Sequence, residues 1–82
     1  MEIVRMTFHQ LYAACKAHDM RASIHQWDCG ETVTINNGVG ELFRISKECG
    51  EEPSAVHTAG SWLIINGYIK YSDLPAPKAD TD

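Results

Sequence analysis

Three short turn sequences rich in Gly and Asn divide the chain into short apolar runs. They are DCGE at 28–31, NNG at 36–38 and NG at 66–67. The residues around them are mostly β-branched or aromatic, and such runs broken by Gly and Asn are typical of β-hairpins. The sequence therefore predicts a small antiparallel sheet of about four to five strands, with hairpins around 28–31, 36–39 and 66–67.

The first hairpin predicts a register and two chemically different faces. With all four residues of DCGE in the turn, Trp27 pairs with Thr32, Gln26 pairs with Val33, and Ile24 pairs with Ile35. Cross-strand partners share a face of the sheet, so Ile24 and Ile35 face the core. The opposite face then carries His25, Trp27, Thr32 and Thr34.

The Asn66-Gly67 pair predicts a type I′ turn in the stretch LIINGYIKY. One face of this hairpin then carries Ile64, Ile69, Trp62 and Tyr71. The other face carries Leu63, Ile65, Tyr68 and the aliphatic stem of Lys70. Both faces are largely apolar, whereas a sheet with one solvated face usually alternates between apolar and polar residues. We therefore expect one face to lie under a helix. The other face is either a contact surface or covered by the N-terminal strand and the loop at 49–60.

Residues 7–18 have the pattern of an amphipathic helix. Thr7 followed by Gln10 fits a capping box, in which each side chain bonds a free backbone N–H group at the helix start. Apolar side chains then recur at helical spacing, and we expect the helix to end near His18 or Asp19. This stripe consists of Phe8, Leu11, Tyr12 and Cys15. The preceding MEIVR predicts a short first strand.

The stretch GELFRISKECG supports two interpretations. Phe43 and Ile45 alternate with charged residues as a strand would, and this is the favoured interpretation because NNG precedes the stretch. A helix that ends at Gly50 is the alternative, and it would make residues 41–66 resemble a helix-turn-helix. We expect a loop at 51–60, a single α+β domain over 1–73 and a disordered acidic tail over 74–82.

Charge and composition narrow the class of function. The chain carries 11 acidic and 7 basic residues, for a net charge of -4. Clustered Lys and Arg side chains, which direct nucleic-acid binding requires, are missing. The longest apolar run, WLII, is too short to span a membrane. The N-terminus has no pattern of a signal peptide, so we expect a cytoplasmic protein with reduced thiols.

The candidate chemical groups do not form a recognisable catalytic or metal-binding motif. Structural zinc sites usually have paired Cys ligands on a tight C-x2-C turn, and the sequence has no such pair. Cys–His catalysis would also need a cleft and an oxyanion hole. We therefore expect no enzyme activity, no cofactor and no metal. The candidate ligands for a metal would be His25, Cys29, Cys49 and His57.

These observations favour a small acidic protein-interaction module. In size and charge the chain is similar to small phage-encoded inhibitors such as anti-CRISPR proteins, which implies docking on the basic surface of a nucleic-acid-handling complex. A second copy of the chain is a further expected partner. The alternative is a helix-turn-helix-like DNA-binding regulator. The predicted partner-binding residues are Trp27, Glu48, Glu51, Glu52, Leu63, Ile65, Tyr68 and Lys70.

Overall fold

The computed structural model of the chain describes residues 3–76. The fold is α+β, with two helices and a three-stranded antiparallel sheet in the strand order β1-β2-β3. The elements are α1 (Phe8–Ala17), β1 (Arg21–Trp27), β2 (Gly30–Asn36), β3 (Glu41–Glu48) and α2 (Ala55–Ile65), followed by a 3₁₀ turn at Tyr71–Asp73. The predicted α+β class is confirmed, but the sheet has three strands and not four to five.

The first helix forms as the sequence predicts. The backbone N–H of Gln10 donates to Thr7 Oγ1 at 3.1 Å, and the backbone N–H of Thr7 donates to Gln10 Oε1 at 2.9 Å. This reciprocal pair is a capping box, which satisfies N–H groups that have no partner within the helix. Leu11 and Cys15 are fully buried, so the predicted apolar stripe faces the core.

The hairpin between β1 and β2 exists, but its predicted register is wrong by two residues. Only Asp28 and Cys29 form the turn, so Trp27 pairs with Gly30, and Ile24 pairs with Val33. Gly30 is therefore a strand residue and not a turn residue. Glycine is required there because a Cβ atom would lie 2.3 Å from the backbone oxygen of Lys47. Because side chains alternate with a period of two, a two-residue shift leaves the predicted faces unchanged.

The strand interpretation of residues 41–48 is confirmed. The segment Asn37–Gly40 joins β2 to β3, and Asn37 Oδ1 accepts hydrogen bonds from the backbone N–H groups of Val39 and Gly40. The ladder has an irregularity at Ile35/Asn36, where Asn36 pairs with Glu41. This strand also excludes the alternative in which residues 41–66 are helical.

The largest correction concerns residues 51–67. The predicted loop and the predicted hairpin at Asn66-Gly67 are replaced by α2, in which Ser54 Oγ accepts from the His57 backbone N–H at 3.2 Å. Gly67 has φ +80°, and the backbone N–H groups of Gly67 and Tyr68 donate to the carbonyls of Ile64 and Leu63. This is the Schellman geometry that ends many helices. Asn-Gly therefore ends a helix here and does not form a hairpin.

The segment before α1 also differs from the prediction. Residues 3–7 form no strand, and the Val4 backbone N–H donates instead to Ser61 Oγ on α2 at 2.7 Å. Leu74 packs against the core, and Pro75 O accepts from Gln10 Nε2 at 2.7 Å. The remainder of the predicted tail, residues 77–82, lies outside the described residues.

Both helices pack on one face of the sheet. The buried strand residues Ala22, Val33 and Ile35 form one cluster with Leu11 of α1 and Leu63 of α2. The other face carries the four residues that the sequence predicts for it: His25, Trp27, Thr32 and Thr34. Within residues 3–76, no helix combines the length and the apolar character needed to cross a bilayer.

Candidate functional site: an acidic cleft at the start of the second helix

A cleft of about 500 Å³ opens where the sheet extends past the beginning of α2. Three of its lining residues form a row across the sheet, because Gln26 pairs with Glu31 and Glu31 pairs with Lys47. This row is the next one along from the core row that contains Val33. It remains accessible because α2 begins only at Ala55. The complete lining is Gln26, Trp27, Gly30, Glu31, Lys47, Glu48, Cys49, Gly50, Glu51, Glu52 and Ser54.

The turn that follows β3 supplies the outer wall of the cleft. Gly50 adopts φ +87°, a conformation that other residues rarely adopt. The Glu51 backbone N–H donates to Glu48 O at 3.0 Å, and Glu51 Oε1 accepts from the Glu48 backbone N–H at 2.7 Å. These two bonds close the chain over four residues, and they hold three carboxylates on one rim: Glu48, Glu51 and Glu52.

The cleft is strongly acidic. Its lining contains four glutamates, Glu31, Glu48, Glu51 and Glu52, and a single cation, Lys47. Four negative charges and one positive charge give the lining a formal charge of -3. The whole chain has a net charge of -4. A concave surface with one sign of charge concentrates the electrostatic potential. The arrangement favours the approach of a cationic group.

The structure divides the predicted partner-binding residues into separate regions. Trp27, Glu48, Glu51 and Glu52 all line the cleft. Ile65, Tyr68 and Lys70 are exposed near the C-terminal end of α2. This end lies roughly 16 Å from Ser54, given the rise of about 1.5 Å per residue. Leu63 is 0% exposed and packs in the core, so its assignment to a contact surface is wrong.

An aromatic stack forms at the C-terminal end of α2. The Trp62 ring lies between those of Phe43 and Tyr68, with centroid distances of 4.5 Å and 5.5 Å. Ile65 is 56% exposed and Tyr68 is 41% exposed. The stack therefore attaches the end of α2 to β3 and leaves apolar surface accessible beside it.

Three cleft residues, Gln26, Glu31 and Lys47, are missing from the sequence prediction. The alternation along each strand does indicate them, because residues two positions apart share a face of the sheet. Gln26 follows Ile24 by two positions, Glu31 precedes Val33 by two, and Lys47 follows Ile45 by two. The predicted four-residue turn at 28–31 did not place these residues in one row, because it set Gln26 opposite Val33. A two-residue turn would have set Gln26 opposite Glu31.

The four candidate metal ligands lie on separate elements. His25 lies on the open face of the sheet beside Trp27, and His57 lies in the first turn of α2. Cys29 and Cys49 are both exposed and lie on neighbouring strand ends, where the Cys49 backbone N–H donates to Cys29 O at 2.8 Å. Within residues 3–76, no three His, Cys, Asp or Glu side chains are grouped so that they could hold a metal ion.

Cys15 and Asp73, both outside the cleft, have a shifted pKa. Burial raises the pKa of the Cys15 thiol to about 11, because the apolar core disfavours the thiolate. The pKa of Asp73 is lowered, first by the hydrogen bond from the Lys70 backbone N–H and then by the hydrogen bond to His18. Cys15 is therefore a packing residue with little thiolate at neutral pH.

No family model, curated protein or solved structure matches this chain.

Proposed function

We propose that the protein is a small, non-enzymatic interaction module that binds a basic segment of a protein partner in its acidic cleft. The observation that carries the proposal is the convergence around one cleft of Trp27 and Glu31, from the first hairpin, with Glu48, Glu51 and Glu52, from the end of β3 and the turn after it. Trp27 is 42% exposed. Trp27 borders the cleft at the end of β1, and its side chain lies on the side of the open sheet face. An accessible indole at this border is suited to Arg or Lys, which combine a cation with an apolar stem.

The charge of the cleft also suggests the class of partner. Proteins that handle nucleic acids present Lys and Arg clusters to phosphates. An acidic module that occupies such a cluster would exclude the nucleic acid by competition. We therefore propose a phage-type inhibitor or regulator, for which the similarity in size and charge to small phage-encoded inhibitors provides the context. The acidic lining disfavours direct binding of nucleic acid to this cleft.

The test is binding of a fluorescein-labelled arginine-rich peptide to the full chain, measured by fluorescence anisotropy at two salt concentrations. We expect Glu31→Gln combined with Glu52→Gln to weaken binding about tenfold, which corresponds to roughly 1.4 kcal/mol. This pair leaves the Glu51 carboxylate, which caps the Glu48 N–H, in place.

The matched control removes two negative charges away from the cleft, by Glu41→Gln combined with Asp19→Asn. Glu41 pairs with Arg44 on the surface, and Asp19 has φ 60°, a conformation that Asn tolerates. The control should retain peptide affinity to within about twofold, because exposed charges contribute little beyond a Debye length. Equal losses in the two double variants would show attraction to net charge alone and would contradict the proposed site.

A further inference from the structure

The outer edge of β1 presents backbone groups that have no partner within the sheet. The Cys49 N–H, just after β3, donates to Cys29 O, just before β2. The odd-numbered residues of β2 therefore bond towards β3. Hydrogen bonding alternates along an antiparallel strand, so the even-numbered residues of β2 bond towards β1. By the same alternation, Ala22, Ile24 and Gln26 direct their N–H and C=O groups outward. Among residues 3–76, no backbone hydrogen bond of a turn, loop or cap involves these three residues.

This edge also lacks the features that usually prevent strand addition. Natural edge strands are protected by charged side chains, Pro or bulges. Over its seven residues, RASIHQW, β1 contains one charged side chain, Arg21, and no Pro. Arg21 stands at the first position and Trp27 stands at the last. The strand therefore has a cation at one end, an accessible indole at the other and neutral residues between them.

We propose that β1 pairs with β1 of a second copy of this chain, antiparallel and about a twofold axis at Ile24. In this register Ile24 faces Ile24 of the second copy, and Ala22 faces Gln26. All the outward N–H and C=O groups of the three even residues then find partners, which gives six new backbone hydrogen bonds. The two sheets become one continuous sheet, with β1 and its symmetry mate at the centre.

The side chains favour a second copy over an unrelated strand. Antiparallel pairing centred on Ile24 sets Arg21 opposite Trp27 at both ends, where the cation can lie against the indole. Ser23 lies opposite His25, and no like charges meet. The two Arg21 side chains are separated by the full length of the strands. Ile24, which is only half-buried in one copy, packs against its symmetry mate.

The test combines sedimentation equilibrium with substitution of Gln26. Gln26→Pro removes an outward N–H that has no partner in the single chain, and its ring obstructs the incoming strand. Pro is tolerated there because residue 25 is already extended. We expect the dimer dissociation constant to increase about tenfold or more. Gln26→Thr keeps the N–H and should dimerise like the natural chain.

Amide hydrogen exchange gives a second measurement that does not depend on a variant folding. In the dimer, the amides of Ala22, Ile24 and Gln26 should become protected as concentration rises, whereas those of Ser23 and His25 are already protected by β2. A matched substitution on the other edge, Arg44→Pro, should leave dimerisation unchanged. A chain that stays monomeric up to about 1 mM, or a dimer whose Ile24 amide still exchanges freely, would overturn the proposal. Peptide binding is measured separately on the natural chain, because Gln26 and Trp27 also line the acidic cleft.

Discussion

The two outer strands of the sheet differ in how their free edges are protected. β3 carries Glu41, Arg44, Lys47 and Glu48, and it begins at an irregularity in the ladder. The outward N–H of Glu48 is already bonded to the Glu51 carboxylate. β1 has a single charged residue and no such cap. The comparison indicates that one edge is closed to strand addition by local chemistry and the other is left open.

The two helices cover different strands of the sheet. α2 covers β2 and β3, and it contributes the fully buried Leu63. α1 packs on β1 and leaves Ile24 half-buried. The core-facing side chains Ile24 on β1 and Phe43 and Ile45 on β3 are all half-buried, so the two sides differ in their edges and not in how completely the helices cover them. The predictions below test this difference, beginning with the largest expected effect.

Leu63→Ala should destabilise the fold by about 2–5 kcal/mol, because it leaves a cavity between α2 and the sheet. Chemical denaturation at pH 7 measures the change in the free energy of unfolding. The matched variant Ile65→Ala removes a side chain that is 56% exposed and should cost less than about 1 kcal/mol. If Ile65→Ala cost as much as Leu63→Ala, the burial of α2 against β3 would be wrong.

Gly30→Ala should cost about 1–3 kcal/mol, the usual range for overpacking. A Cβ at residue 30 would lie 2.3 Å from the backbone oxygen of Lys47 and 2.9 Å from Glu48 Cα. Relief requires β2 and β3 to separate at the end that forms the cleft. The control is Gly38→Ala, because a Cβ there has no neighbour within 4 Å. Urea denaturation of both variants checks the prediction, and equal stabilities would contradict the close approach of the strands.

Gln10→Ala should destabilise the β1 side by about 1–3 kcal/mol, since a buried side chain loses two hydrogen bonds. Gln10 Oε1 accepts from the Thr7 N–H, and Gln10 Nε2 donates to Pro75 O. Thr7→Ala removes one cap bond and should cost about 1 kcal/mol. Thermal denaturation should therefore rank Gln10→Ala below Thr7→Ala in stability. The reverse order would show that the contact with Pro75 contributes nothing.

The same residues show how far the sequence determines the fold. The capping box of α1 depends on neighbours three positions apart, so the sequence was sufficient to predict it. Asn66-Gly67 is different, because a type I′ turn and a Schellman helix end both use Gly at positive φ. The deciding signal lay further away: Val56, Ala59 and Leu63 recur at helical spacing, and all three are buried. Helical periodicity over residues 55–65 therefore outweighs the local turn signal.

The cleft was predictable only in part, for a related reason. Its glutamates around Gly50 are close in sequence, so their clustering needs no tertiary information. The row of Gln26, Glu31 and Lys47 depends on the register of two hairpins. The register of the first hairpin requires Gly30 to be a strand residue. Only glycine fits at this position, because the backbone oxygen of Lys47 on β3 occupies the space of a Cβ atom. Contacts of this kind are not visible in the local pattern of one strand.

The smallest predicted effect concerns acid stability near the start of β1. His18 follows α1 and bonds Asp73 at 2.7 Å, so this contact ties the 3₁₀ turn to the loop that leads into β1. The pKa of Asp73 is lowered from its ordinary value of 3.8. A carboxyl group whose pKa is lower in the folded state stabilises the fold above the unfolded pKa, and it loses that contribution as the pH falls through the folded value. Urea denaturation between pH 5 and pH 2 should therefore show a shallower loss of stability for Asp73→Asn than for the natural chain.

His18→Ala separates the two causes of this shift. The Lys70 backbone N–H is the larger cause and His18 the smaller, so His18→Ala should retain most of the acid-dependent loss that Asp73→Asn removes. An NMR titration of the Asp73 carboxyl carbon gives the same comparison at one site. If His18→Ala abolished the whole difference, the backbone bond from Lys70 would not be the main stabiliser. The contact next to the open β1 edge would then depend on a single exposed side chain, and the contrast with the backbone-capped β3 edge would be sharper.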